Sequence, residues 1–137
     1  MSRRNERGSV SVELVLLTPV LVGLMCLTVA FGRLQSARAD VEAASRAAAR
    51  AASFERTAPA ARVAGQRAAL AELDAGGYRC SSLVVSIDTG TFAPDAIVGA
   101  TVSCTVQLAD VTGMGLPSSH TMSATFSEPV DRFRGTR

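Results

Sequence analysis

The chain has 137 residues, of which 47% are hydrophobic and 19% charged, and its formal net charge is +2. This length predicts a single globular domain, and the hydrophobic fraction excludes an intrinsically disordered tail. The near balance of 14 basic and 12 acidic residues argues against a nucleic-acid-binding protein, because such a protein presents a strongly basic face.

An uncharged, mostly apolar run covers residues 14–32 and follows the basic residues Arg3, Arg4 and Arg7. As a helix it spans about 28 Å, close to the roughly 30 Å of a bilayer core. We therefore predict a membrane-spanning helix rather than the core helix of a soluble protein. Three forms remain open at this point: a secretory signal peptide cleaved near Ala30, a plain signal anchor, or a pilin-type leader that retains its apolar helix.

An acidic residue, Glu13, directly precedes the apolar run and lies five residues after Gly8. If the chain were cut after Gly8, Ser9 would carry a new α-ammonium about one helical turn from this carboxylate. In a bundle of such helices, Glu13 of one subunit can neutralise the ammonium of its neighbour, where an unpaired charge is costly. The alternative is a carboxylate that merely reaches water at the membrane interface.

Gly8, Glu13 and Pro19, in register with the apolar run, resemble the N-terminus of TadE-like proteins. These are minor pilins, or pseudopilins, of the tight-adherence (Flp-type) branch of type IV pili. The resemblance covers residues 7–53, and Leu14 stands where the family usually has an aromatic residue. It implies a prepilin peptidase that cuts between Gly8 and Ser9, with residues 1–8 as the leader peptide.

Pro19 lies within the apolar run. Proline lacks the backbone N–H and its ring clashes with the preceding turn, so we predict a helix kink there. The kink serves either as a flexible point for extraction into a filament or as an ordinary transmembrane proline.

The residues after Gly32 continue as an alanine-rich helix, with 16 alanines between residues 37 and 71. We predict one helix over residues 11–53, about 64 Å long. A narrow apolar stripe recurs at steps of three and four residues: Leu34, Ala37, Val41, Ala44, Ala48 and Ala51. This distal half must pack on the globular part or on other subunits; the alternative is a free stalk.

A second, short helix is predicted between Thr57-Ala58-Pro59, a start signal, and Gly76-Gly77, a stop signal. Val63, Leu70 and Leu73 form its expected apolar edge.

The periodicity then changes to two, which predicts strands over residues 82–87, 97–108 and 120–127, the last one stopped by Pro129. Residues 113–117 form a predicted loop and residues 131–137 a polar tail. The predicted fold class is α+β, with a transmembrane helix that continues into an Ala-rich helix, a short second helix and a small antiparallel sheet of about three strands. The predicted domain division is residues 9–54 for the long helix and 55–137 for an extracytoplasmic domain.

No pattern in the sequence indicates catalysis or a bound cofactor. Cys80, Cys104 and His120 offer at most three metal ligands and lack a C-x-x-C clip. Ser118 and Ser119 are near His120 only in sequence, whereas a catalytic triad converges in space. We therefore predict a structural protein without enzymatic activity, metal or cofactor, with His120 at a sheet edge.

Two of the three cysteines are predicted to form a disulfide. Cys26 lies in the membrane run, which leaves Cys80 and Cys104 as an even pair in an oxidising compartment. A hairpin centred on Phe92 places these two cysteines opposite each other. The alternative is two free thiols, which would fit an inverted topology.

The sequence thus predicts a structural minor pilin that acts in pilus assembly or tip priming. It would cross the cytoplasmic membrane once, with its C-terminal domain outside, and could enter a cell-surface pilus. The expected partners are the lipid bilayer, a prepilin peptidase, other pilin subunits and pilus assembly proteins, with no nucleic acid. The alternative is an exported or membrane-anchored binding module unrelated to pili, whose mature chain would begin beyond Ala30 if the signal were cleaved.

Overall fold

The computed structural model describes residues 6–77, 79–107 and 118–130. The elements in chain order are α1 (Glu6–Ser53), α2 (Ala58–Gly76), β1 (Ser82–Asp88), β2 (Ile97–Gln107) and β3 (Ser119–Pro129). This arrangement confirms the predicted α+β class. The predicted loop 113–117, the tail 131–137 and Leu108, the expected last residue of the second strand, lie outside the described residues.

The long helix α1 runs without interruption for 48 residues, about 72 Å. It begins at Glu6, five residues before the predicted start, and ends at the predicted Ser53. Its two halves have opposite surroundings. From residue 12 to Phe31 its side chains are almost all exposed, whereas buried positions begin at Ala37.

The distal half of α1 packs on both α2 and the sheet. Its buried side chains are Ala37, Val41, Ala44, Ser45, Ala48, Ala49, Ala52 and Ser53. Because two elements cover this half, its buried surface is wider than the predicted stripe, and Ala51, expected on that stripe, is only half-buried. The free-stalk alternative is therefore wrong: this half of α1 belongs to the core.

Both ends of α2 follow their sequence signals. Thr57 is the N-cap, and its hydroxyl accepts a hydrogen bond from the Ala60 N–H at 3.4 Å. At the other end Gly77 adopts the left-handed conformation, with φ of 74°, and its N–H donates to the Asp74 carbonyl. This conformation favours glycine, which explains why the helix stops there.

The buried face of α2 differs from the predicted one. Val63 and Leu70 are more than half exposed, and the buried residues are Ala61, Gly65, Ala69 and Leu73. These four follow one another at steps of four, so they share one face. At Gly65 a residue without a side chain is favoured because α2 lies very close to α1 there: an added Cβ would be 3.1 Å from the Ala48 carbonyl oxygen.

The three strands form an antiparallel meander in the order β1-β2-β3, as predicted. Alternate residues of the central strand are buried against the helices: Val98, Ala100, Val102, Cys104 and Val106. The last strand extends through Pro129, which the prediction placed beyond the strand end. The next residue, Val130, donates its N–H to the Ala96 carbonyl at 2.8 Å. In an antiparallel ladder, hydrogen-bonded and non-hydrogen-bonded residue pairs alternate. The backbone nitrogen of Pro129 therefore points away from β2, so its missing N–H breaks no hydrogen bond of the ladder.

The disulfide between Cys80 and Cys104 is present, but the predicted register is wrong. Cys104 lies opposite Leu83 rather than Cys80, which shifts the hairpin centre to between residues 93 and 94. Cys80 instead precedes β1. The next residue, Ser81, donates both its N–H (2.7 Å) and its hydroxyl (2.9 Å) to the Thr105 carbonyl. These two bonds fix the chain just before β1 and hold the Cys80 Cα 5.4 Å from the Cys104 Cα, within the range a disulfide spans.

The first prediction follows from this bridge. In the denatured, unreduced protein a thiol reagent is expected to label Cys26 alone, and after reduction all three cysteines. The variant Cys80→Ser should lose roughly 3–4 kcal/mol of the free energy of unfolding, because the bridge no longer restricts the unfolded chain. Cys26→Ser is the matched control and should leave no reactive thiol before reduction. Three labelled cysteines in the unreduced protein would contradict the bridge.

Candidate functional site: the exposed half of α1 and the groove beside β3

The exposed half of α1 presents large apolar side chains all round the helix. Thirteen of them are at least 48% exposed: Val12, Leu14, Val15, Leu16, Leu17, Val20, Leu21, Val22, Leu24, Met25, Leu27, Val29 and Phe31. A helix that is apolar on every side belongs in a nonaqueous environment. By length and composition α1 is able to cross a membrane, and here this half lies almost entirely outside the core.

Glu13 lies at the N-terminal end of this apolar surface and is exposed. Among the side chains that the structure describes, the one ion pair joins Arg46 to Glu42 at 3.3 Å, so Glu13 has no charged partner there. Gly8 and Ser9 lie in the first turns of the same helix, and Ser9 is four residues, about 6 Å of helix rise, before Glu13. The roles of these three residues remain predictions.

Pro19 lies inside the continuous helix α1. Because proline has no N–H, the carbonyl four residues earlier, that of Val15, loses its helical donor. One residue before the proline, the Thr18 hydroxyl donates to the Leu14 carbonyl at 2.7 Å, an interaction that often bends helices. Both features act on the same turn; the kink itself stays a prediction.

The residues considered for a metal site or a catalytic triad do not come together. Cys80 and Cys104 are bonded to each other, so their sulfur atoms are not free to bind zinc. His120 is exposed on β3, an edge strand, as predicted, and pairs with Val106. Within the described ranges no three potential metal-ligating side chains cluster, and His120 makes no side-chain hydrogen bond.

A groove runs between α1 and β3, and sequence reasoning missed it. Its membrane-proximal part has a volume of about 280 Å³ and is lined by Leu34, Gln35, Arg38, His120, Thr121, Met122 and Ser123. A second part of about 250 Å³ shares Arg38 and Ser123 with the first and continues to Phe126. No local signal reveals this groove, because its two walls are more than 70 residues apart in sequence.

In the distal part of the groove, the charged side chains already pair with each other. The Arg46 guanidinium pairs with Glu42 and lies 5.9 Å from the centre of the Phe126 ring. At the membrane-proximal end, Arg38 has no ion pair among the described residues. The two arginines on the same wall thus differ: Arg46 is satisfied within the chain and Arg38 is available.

The outer face of the sheet is covered by hydroxyl groups. Three cross-strand hydrogen bonds join Thr101 to Thr125, Ser103 to Ser123 and Thr105 to Thr121, at 2.9–3.0 Å. Such pairs stabilise neighbouring strands while they keep the surface polar. The sheet therefore has one apolar face towards the helices and one hydrophilic face towards solvent.

A comparison with protein families decides what the N-terminal helix is. The family model described as TadE-like protein matches residues 8–50. This segment is TadE-like. The match confirms the resemblance predicted from Gly8, Glu13 and Pro19, and it crosses from the exposed apolar half of α1 into the packed half. No curated protein and no solved structure matches the chain.

The TadE-like segment relates the chain to the tight-adherence pilus system. This family is structural rather than catalytic. Together with the apolar surface of α1, it points to an association with the membrane and with other pilin subunits.

Proposed function

We propose that the protein is a minor pilin, or pseudopilin, that takes part in assembly or tip priming of a tight-adherence pilus. Residues 1–8 form its leader, α1 inserts in the cytoplasmic membrane, and residues 55–137 lie outside the cytoplasm. One observation carries the proposal: a single helix holds the exposed apolar half and the packed half, and the TadE-like match spans both.

This continuity suits a subunit that moves from a membrane into a filament. Such a subunit must keep its apolar segment rigidly attached to its domain, because the segment supplies the contacts with neighbouring helices in both places. In α1 no break separates the apolar residues that end at Phe31 from the buried residues that begin at Ala37. A cleaved signal peptide has no need of this continuity, because cleavage near Ala30 would cut α1 within one turn of Leu34, which packs against the core.

The proposed processing step involves the first turns of α1. A prepilin peptidase that cuts between Gly8 and Ser9 exposes an α-ammonium on Ser9. The Glu13 carboxylate, which has no charged partner among the described side chains, is then available to the ammonium of a neighbouring subunit. Between packed helices the dielectric is low, so this pairing offsets a desolvation that neither charge could bear alone.

The mature N-terminus tests the proposal. We expect the intact mass of the chain isolated from membranes to correspond to a start at Ser9. A chain that starts beyond Ala30 would contradict the pilin and support an exported module, and an uncut chain would support a plain signal anchor.

The second prediction concerns assembly. Glu13→Ala should be cleaved after Gly8 like the wild type, yet its share in the sheared filament fraction should fall roughly 30-fold. This corresponds to about 2 kcal/mol, the lower end for removing one partner of a buried charge pair.

Glu42→Ala is the matched control, since it removes a carboxylate from the same helix but disrupts only an exposed pair with Arg46, worth about 0.3–0.5 kcal/mol. It should enter filaments normally. If Glu13→Ala is also incorporated normally, Glu13 is only an interfacial carboxylate.

A further inference from the structure

We propose that the membrane-proximal end of the groove between α1 and β3 binds the headgroup of an anionic phospholipid, with Arg38 as the residue that contacts the phosphate. The inference rests on the membrane insertion of α1 contained in the proposed function. It goes beyond that function by assigning a lipid-binding site to the globular part.

The position of Arg38 along α1 places it at headgroup depth. The uncharged run ends at Gly32, and Arg38 is six residues, about 9 Å, further along the helix. The polar zone of a bilayer adds roughly 5–7 Å on each side of the hydrocarbon core. Helical side chains tilt back towards the N-terminus, which for this outward-facing domain is towards the membrane. The long Arg38 side chain therefore reaches the level of the phosphates.

The packing of α2 agrees with this orientation. The C-terminal end of α2 returns to the level of Asp40, since a Cβ added to Gly76 would lie 2.9 Å from an Asp40 carboxylate oxygen. The domain thus faces the membrane with the end of α2 and the start of β3, where His120 lies. Asp40 packs on the α2 side and does not line the groove.

The lining of this end suits a phosphate group attached to an acyl chain. Arg38, Gln35 and His120 offer hydrogen-bond donors, and no carboxylate is among the described residues that line this end. Arg38 has no ion pair among the described residues, whereas Glu42, the nearest acid along the groove, is occupied by Arg46. Arginine binds phosphate oxygens through a planar pair of donors. Leu34 and Met122 add apolar surface beside these donors.

The location favours a lipid over a free anion. One arginine in an open groove holds a dissolved phosphate weakly. A domain anchored by α1 instead meets lipid phosphates at the high effective concentration of the membrane surface. Arg33, the first charged residue after the apolar run, lies about 8 Å nearer the hydrocarbon core along α1 and adds positive charge at the interface.

The test uses the full chain in lipid nanodiscs made of phosphatidylcholine doped with phosphatidylglycerol. Native mass spectrometry of the released protein measures the ratio of the two lipids retained on it. We expect the wild type to retain phosphatidylglycerol preferentially and Arg38→Gln to lose about fivefold of this preference, the value for ~1 kcal/mol per basic residue at an anionic surface. Arg38→Lys should show an intermediate preference, since it keeps the charge but loses the planar pair of donors.

Arg46→Gln is the matched control, because Arg46 lies on the same wall about 12 Å further from the membrane and is already paired. Its preference should stay within twofold of wild type. An unchanged preference in Arg38→Gln, or an equal loss in Arg46→Gln, would overturn the site. Displacement of phosphatidylglycerol by millimolar inorganic phosphate would identify a free-anion site instead and would also overturn it.

The outcome is separable from the pilin proposal. An uncut chain contradicts the pilin but leaves the lipid measurement intact. A chain that starts beyond Ala30 has lost the apolar half of α1 and contradicts both proposals. A wild-type chain that does not remain in the nanodisc contradicts the membrane anchor, on which both proposals depend.

Discussion

Gly65→Leu is expected to cost about 3 kcal/mol or more of the free energy of unfolding. A Cβ at this position would meet the Ile87 Cδ1 at 2.8 Å and the Ala48 carbonyl oxygen at 3.1 Å. The Ile87 Cδ1 is the end of a flexible side chain, but the Ala48 carbonyl belongs to the backbone of α1, so α2 must move away from α1. Overpacking of this kind costs about 1–3 kcal/mol, and the branched leucine exceeds a single Cβ. The gain in helix propensity returns only about 1 kcal/mol.

The measurement is urea unfolding of the detergent-solubilised full chain, followed by far-ultraviolet circular dichroism. Ala71→Leu is the matched control, because Ala71 is exposed on the same helix and the substitution should leave the midpoint nearly unchanged. The unfolding midpoint of Gly65→Ala should lie between those of Gly65→Leu and Ala71→Leu, since the gain in helix propensity offsets much of the crowding by a single Cβ. An unfolding midpoint of Gly65→Leu equal to that of wild type would show that α1 and α2 do not approach as closely as described.

Gly8→Leu is expected to abolish processing almost completely. In the proposed processing, a peptidase that cuts after Gly8 must accommodate the backbone just before the cut without a side chain, and leucine places a branched chain there. The variant should remain in the membrane as the full-length precursor with residues 1–8 attached. The intact mass distinguishes this precursor from a chain that starts at Ser9.

Gly23→Leu provides the control for this result. It adds the same side chain to the same helix at a position where a Cβ meets nothing within 4 Å. It should therefore be processed like the wild type. If wild type and Gly8→Leu show the same mature N-terminus, the assignment of Gly8 as the processing position is wrong.

The sequence alone determined the features whose physical cause is local. The caps of α2 at Thr57 and Gly77 depend on residues within one turn of each helix end. The apolar run after Glu13 is recognisable because a bilayer-spanning helix needs a fixed number of consecutive apolar residues. The strand alternation of Val98, Ala100 and Val102 shows which face is buried. The TadE-like segment was also evident, since its glycine, glutamate and proline lie within one short stretch.

The tertiary structure alone decided which surfaces meet. On α2 the larger Val63 and Leu70 are exposed while Gly65 is buried, because a close helix contact selects small residues over hydrophobic ones. The hairpin register depends on the turn between β1 and β2 and on the two hydrogen bonds from Ser81, so residue counting misplaced Cys80 by several positions although the bridge exists. The groove at Arg38 arises only when α1 lies beside the edge strand β3, and no pattern within either segment records that contact.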